Sequence, residues 1–242
     1  MRRLDRAPWS EDSRAMALDP LSNIVWHSLT GPQSSLSAGT DRIRRFAPGF
    51  SQLIGARERE APALDELAPF CAPDEHFYVL GWDGTPPSGW QVDVDAEVDQ
   101  LVYEHAAPEA LDHRDIVRLD ASHIARMIAL TELTHPGPFA ERTIEFGEYY
   151  GILDGDRLLA MSGERMHAGR LREISAVCTH PDAQGRGLAR RLMNLLLRIQ
   201  TSRGQMPFLH VMADNTHARA LYERMGFRHH QRLACRVVSR TG

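Results

Sequence analysis

Lysine is missing altogether: all 28 basic residues among the 242 are arginine. No Schiff-base lysine and no P-loop lysine is therefore available, and chemistry that depends on either is excluded. Cysteine is scarce. Cys71, Cys178 and Cys235 are odd in number, far apart and never in a C-x-x-C, so neither a disulfide framework nor a zinc site is expected. No apolar run approaches the roughly 18 residues that a membrane span needs, which excludes an integral membrane helix. Met1-Arg2-Arg3-Leu4-Asp5 leads into a polar stretch and not into an apolar signal segment. A soluble, cytoplasmic protein without disulfides is the expectation.

What is present is enough for a sizeable core, with 43% hydrophobic residues in a chain long enough for one large domain or two small ones. The charge is uneven. Residues 1–113 carry 9 Arg against 19 acids, and residues 114–242 carry 19 Arg against 13 acids. That asymmetry suggests two regions with different partners: an N-terminal lobe, 1–113, and a second domain, 114–242. An acidic first lobe suits a cationic acceptor such as an amine. Arg186, Arg190, Arg191 and Arg198 lack the interleaved aromatics or recognition motif of a nucleic-acid surface, so no nucleic-acid or membrane partner is expected. His229-His230 lacks metal-site spacing and no H-E-x-x-H occurs, so no metal is expected either.

The first half yields a helical period at Leu64–Leu67, a strand at His76–Leu80, a loop at 83–89 and two short Val-rich runs within Gln91–Tyr103. Its role cannot be read from its residues. From Asp115 the signals sharpen. Asp120 is an N-cap for a helix through Ile124, Met127, Ile128 and Leu130, which His135-Pro136 must end. Tyr149–Leu153 and Leu158–Arg165 flank Asp154-Gly155-Asp156 as a hairpin, and Leu171–Thr179 follows as a third strand. A long helix from about Leu188 to Arg203, a strand at Phe208–Ala213, a helix at Thr216–Met225 and a strand at Leu233–Val238 complete the order. The strand–helix–strand unit across Leu171–Ala213 predicts a mixed α/β sheet with a right-handed crossover.

Gln184-Gly185-Arg186-Gly187-Leu188-Ala189 falls between a strand and the start of the long helix. Free N–H groups and the helix dipole there suit an anion, and glycines let the backbone approach it. It is not a Walker A loop, for want of lysine. Nor is it a dinucleotide fingerprint, because Arg190 stands where the third glycine would be and no acid follows until Asp214.

Gln184-x-x-Gly187-x-Ala189 resembles the Q/R-x-x-G-x-G/A loop of the GNAT superfamily of N-acetyltransferases. Val177-Cys178-Thr179-His180-Pro181 before it, and Asn215-x-x-Ala218-x-x-Leu221-Tyr222-x-x-x-Gly226-Phe227 after it, extend the resemblance over residues 115–238. The run from Glu173 to Pro181 looks most like the glycine N-acyltransferase-like subgroup. The implied fold is a GNAT-type α/β fold: a mixed, mostly antiparallel sheet flanked by helices, with an additional N-terminal α/β lobe. The implied co-substrate is acetyl-CoA, without a metal, and the implied acceptor is a small-molecule or peptide amine. The resemblance gives the pyrophosphate to Gln184, Gly185, Arg186, Gly187, Leu188, Ala189 and Arg190, and the pantetheine to the backbones of Val177 and Thr179 in a V between two strands. A backbone N–H at Val177 or Cys178 would polarise the thioester carbonyl.

Transfer needs a neutral amine, and a lysine-like amine of pKa about 10.4 is neutral roughly once in 2,500 molecules at pH 7. Glu173 is the leading candidate base, against a plain arginine-paired carboxylate; Glu145, Glu148 and His135 are rivals. Tyr222, two helical turns after Asn215, is the candidate acid for the leaving thiolate, against a core aromatic. Asn215 binds the cofactor or caps its helix. Cys178 has no recognisable His partner and reads as a buried strand cysteine. The competing classes are a non-catalytic CoA-binding module and an interaction protein. A homodimer is left open.

Overall fold

Acids at 93, 95, 97 and 99 recur with the two-residue period of a strand, and the segment that carries them is one long strand and not two short runs. The computed structural model describes residues 10–241. The N-terminal stretch Met1–Asp5 lies outside the described residues. In chain order the elements are α1 (Glu11–Leu18), α2 (Ile24–Thr30), β1 (Ser37–Gly39), β2 (Ile43–Phe46), β3 (Leu53–Ala56), α3 (Leu64–Leu67), β4 (His76–Leu80) and β5 (Trp90–Tyr103). The second half adds β6 (Ile116–Leu119), α4 (Ile124–Thr134), β7 (Tyr149–Asp154), β8 (Arg157–Ala168) and β9 (Leu171–Thr179). It closes with α5 (Leu188–Ser202), β10 (Met206–Met212), α6 (Thr216–Arg224) and β11 (Phe227–Arg240).

A single 11-stranded sheet runs in the order β1-β2-β3-β4-β11-β5-β10-β9-β8-β7-β6. All neighbours are antiparallel except β3 with β4 and β9 with β10. This is the mixed, mostly antiparallel GNAT-like α/β sheet with flanking helices. The two halves repeat one plan, antiparallel strands followed by a parallel step through a helix. Their last strands are exchanged: β5 lies beside β10, β11 lies beside β4, and the two pair with each other along almost their whole length. The sheet thus continues across residues 113 and 114.

Local signals explain most of the second half. Asp120 accepts from the Ser122 N–H and forms a capping box with His123. His135 ends α4 in the left-handed region at φ 47°, just before Pro136. Leu188, Leu192, Met193, Leu196 and Leu197 place the apolar face of α5 on the sheet. Asn23-Ile24-Val25-Trp26, a short apolar piece in sequence, starts α2, whose buried face joins Leu21, Phe46 and Phe208 in one core cluster. That helix seats tightly on β3: a Cβ at Gly55 would stand 2.6 Å from the Trp26 nitrogen.

Candidate active site

The parallel ladder between β9 and β10 is short. It joins Met206 to Leu171, Pro207 to Arg172 and Phe208 to Glu173, and then stops. Both strands run on, to Thr179 and to Met212, without pairing to each other. Beyond Glu173 and Phe208 the sheet therefore has a split, flanked by backbone groups of β9 with no strand partner on that side. Sheet groups left this way seek a partner of extended shape.

A bulge shapes the same stretch. Met161 pairs with Cys178 and Gly163 with Ser175, so three steps on β9 oppose two on β8. Ala176 carries the irregularity at φ 51°, a value that side chains with a Cβ rarely adopt. The bulge re-aims the backbone at Val177, next to the split. Cys178 is buried and touches Thr134 and Met161; burial pushes its thiol up to about 12. A thiol so placed stays protonated and suits a packing role.

After β9, His180 accepts from the Asp182 N–H and Arg157 pairs with Asp182, which fixes the turn into the loop. Gly185 and Gly187 both lie at φ 73°, and a Cβ at either would meet nothing within 4 Å. Gly187 is the N-cap of α5 and offers no side-chain acceptor to the first-turn N–H groups. Gln184, Arg186 and Arg190 are exposed; neither arginine forms an ion pair with a described residue. Arg191, by contrast, is committed to Asp115 and to the Asp112 carbonyl. Leu188 is buried and Ala189 half-buried at the start of the helix. Open glycine backbone, uncapped N–H groups and two uncommitted cations fit a pyrophosphate, and the split fits a pantetheine arm. The residues present therefore fit acetyl-CoA. In the first half the parallel step between β3 and β4 is no such site, because α2 sits against it at Gly55.

Tyr222 stands on α6 with its ring 7% exposed, packed near Phe227. Burial raises its hydroxyl to about 12, with Cys178 adding to the effect across the split. Asn215, two turns earlier, caps α6 by accepting the Ala218 N–H at 3.1 Å.

Glu173 is fully buried and engaged on every side. Arg165 binds it through Nε at 2.9 Å and a terminal nitrogen at 2.6 Å, the Met166 N–H donates at 3.2 Å, and His210 Nδ1 lies 2.8 Å away. Burial alone would raise this carboxyl, but the Arg165 charge and hydrogen bonds, with His210, hold it at about 2. A carboxylate so low binds no proton at neutral pH and has no free lone pair facing an amine. The geometry gives Glu173 a structural place and withdraws it as a base. Arg165, eight residues earlier, is the partner that sequence spacing does not reveal, because it arrives through the β8–β9 register. Among the rivals, Glu145 is paired with Arg142, Glu148 lies between Arg203 and Arg118, and His135 is an exposed helix end.

Comparisons with known proteins place this geometry. The model of the FR47-like proteins matches residues 149–237. A structure described as an acetyltransferase of the GNAT family from Novosphingobium aromaticivorans is 36% identical, with a TM-score of 0.85, over 92% of this chain and 99% of that one. The chain belongs to the GNAT family of acetyltransferases. Mycothiol acetyltransferase of Geodermatophilus obscurus is 37% identical over 98 residues, 38% of this chain. The match spans 32%, about a third, of that curated relative's length. A GCN5-related N-acetyltransferase-like protein from Streptococcus suis, 14% identical, shares the GNAT fold with a TM-score of 0.54 over 90% of this chain and 92% of its own.

Proposed function

We propose that this GNAT protein moves an acetyl group from acetyl-CoA to a primary amine by direct attack of the amine on the thioester. The observation that carries the reading is the split between β9 and β10, which begins one residue past Glu173 beside the bulge at Ala176 and ends at the glycine loop of α5. Acetyl-CoA supplies an activated acetyl thioester; everything else is the work of the chain. The backbones of Val177, Cys178 and Thr179 hold the extended arm as a strand would. A backbone N–H at Val177 or Cys178 meets charge that develops on the carbonyl oxygen, a kind of contact worth about 3–4 kcal/mol. Gly185, Gly187, Leu188 and Ala189 present N–H groups to the phosphates, with Arg186 and Arg190 alongside.

Tyr222 donates its proton to the sulfur as the C–S bond breaks and the C–N bond forms. The nitrogen sheds its extra proton to water, from which Tyr222 recovers its own. With a hydroxyl near 12, Tyr222 is protonated throughout the working range and always ready to donate. No side-chain base is assigned, since Glu173 is committed to Arg165. Asn215 acts by fixing the start of α6 and hence the position of Tyr222.

The deciding experiment is a thermal melt with excess acetyl-CoA beside NAD and ATP. At 100 times its dissociation constant a ligand adds about 2.7 kcal/mol, and only acetyl-CoA is expected to raise the transition. Absence of a shift with acetyl-CoA would reduce the glycine loop to a structural turn and remove the enzyme reading.

A further inference from the structure

Tyr149 is 1% exposed, and its hydroxyl makes no hydrogen bond to any described residue. Buried polar atoms normally find a partner, and phenylalanine would fill the same space without the cost of an unsatisfied group. The position of the orphan is informative. Tyr149 pairs with Gly163 on β8, and a Cβ at Gly163 would stand 2.1 Å from the tyrosine ring. Gly163 in turn pairs with Ser175 on β9, just before the bulge. The ring thus crosses β8 over a residue without a side chain and joins Ala176 and Cys178 in one cluster. Burial drives its ionisation far upward, with Arg165, Glu173, Glu164 and Cys178 within electrostatic reach, so the group is a neutral hydroxyl at any working pH.

On its other side Tyr149 meets the edge of Phe139, ring centroids 6.0 Å apart. Phe139 is also a wall of a cavity of about 180 Å³ between the loop after α4 and the first half of the chain. Ser51, Gln52 and the ion pair of Arg45 with Glu75 line it together with Phe139. The half-buried Phe139 ring thus touches both a polar cavity and the ring whose hydroxyl is unsatisfied. The opposite face of the sheet is covered by α5 and offers no such route.

We propose that Tyr149 is the acceptor-binding residue: a primary alkylamine enters by the cavity past Phe139, and the Tyr149 oxygen accepts one of its N–H groups. The nitrogen lone pair is then left to face the carbonyl at the bulge. This inference rests on the acyl-transfer reading above. It also explains why the position holds tyrosine where a phenylalanine would pack as well.

Tyr149→Phe removes only the oxygen, and n-butylamine is a sufficient probe, titrated calorimetrically into CoA-saturated protein. The variant should bind n-butylamine about tenfold more weakly, the effect of one lost hydrogen bond, while its affinity for CoA is unchanged. Its melting temperature should be equal to the parent's or higher, because an unsatisfied hydroxyl has been removed. Equal n-butylamine affinity in the two proteins, or no n-butylamine binding to the parent, would overturn the assignment and leave acyl transfer standing. A parent that fails to bind acetyl-CoA in a companion titration would overturn both.

Discussion

His210 Nδ1 lies 2.8 Å from Glu173 Oε1, and the two residues bridge β10 and β9 where their backbone ladder ends. The bond extends inward on both sides. Arg165 holds the far side of Glu173, and the Gln100 amide lies 3.1 Å from His210 Nε2. Side chains on β8, β9, β10 and β5 thus clamp the apex of the split while its mouth stays open.

Glu173→Gln should expose the dependence on that clamp. It leaves the Arg165 charge buried without its counter-ion, a change that costs roughly 3–5 kcal/mol. Urea unfolding would measure the loss. Whatever activity remains should keep the pH profile of the parent enzyme, because the carboxylate takes no proton from substrate. Disappearance of an acidic limb from that profile would restore Glu173 as the base.

Acid should weaken the fold in two stages. Burial and the nearby Arg172 charge lower His167 from 6.5 to about 4, so the folded state prefers its neutral form. The stability linked to this preference is complete above pH 6.5 and is lost as pH falls toward 4. Glu173 drops from 4.5 to about 2, and its contribution, on the order of 3 kcal/mol, is lost between those values. Unfolding free energies from pH 7 to 2.5 should therefore fall throughout. In Glu173→Gln the slope below pH 4.5 should flatten, and an unchanged slope would contradict the ion-pair account.

For Tyr222→Phe the expected result is turnover lowered about 100-fold or more with acetyl-CoA affinity retained. Steady-state thiol release and a separate binding titration distinguish the two effects. Undiminished turnover would reassign the ring to packing against Phe227.

Gly187→Ala tests the anion loop. The backbone there at φ 73° disfavours a Cβ by roughly 1–2 kcal/mol, and the added methyl would project into space now open to a phosphate. Acetyl-CoA should bind at least tenfold more weakly, seen as a smaller ligand-induced rise in melting temperature. The same substitution at an exposed glycine far away, Gly169→Ala, should leave the ligand-induced rise intact.

Much of the second half was legible because its signals are local. Asp120 caps, Asp154-Gly155-Asp156 turns, and the leucines of α5 repeat on one face. The glycine loop stood out for the same reason, and so did Tyr222, seven residues from its cap. What could not be read depends on partners. Nothing in Glu173 names Arg165 or His210, which reach it through strand pairing and a bulge. Ala176 gives no hint of a left-handed backbone, since alanine is not a residue that such a position selects. The two short Val-rich runs read within Gln91–Tyr103 give no hint that they form one strand between β10 and β11.

That exchange of closing strands has a consequence for biosynthesis. During translation β4 emerges with its eventual neighbour, β11, still more than 140 residues from completion. The first half cannot close its sheet until β11 has been made, and β5 must wait for both β10 and β11. Until then two strand edges stay exposed in the nascent chain, a form prone to aggregation.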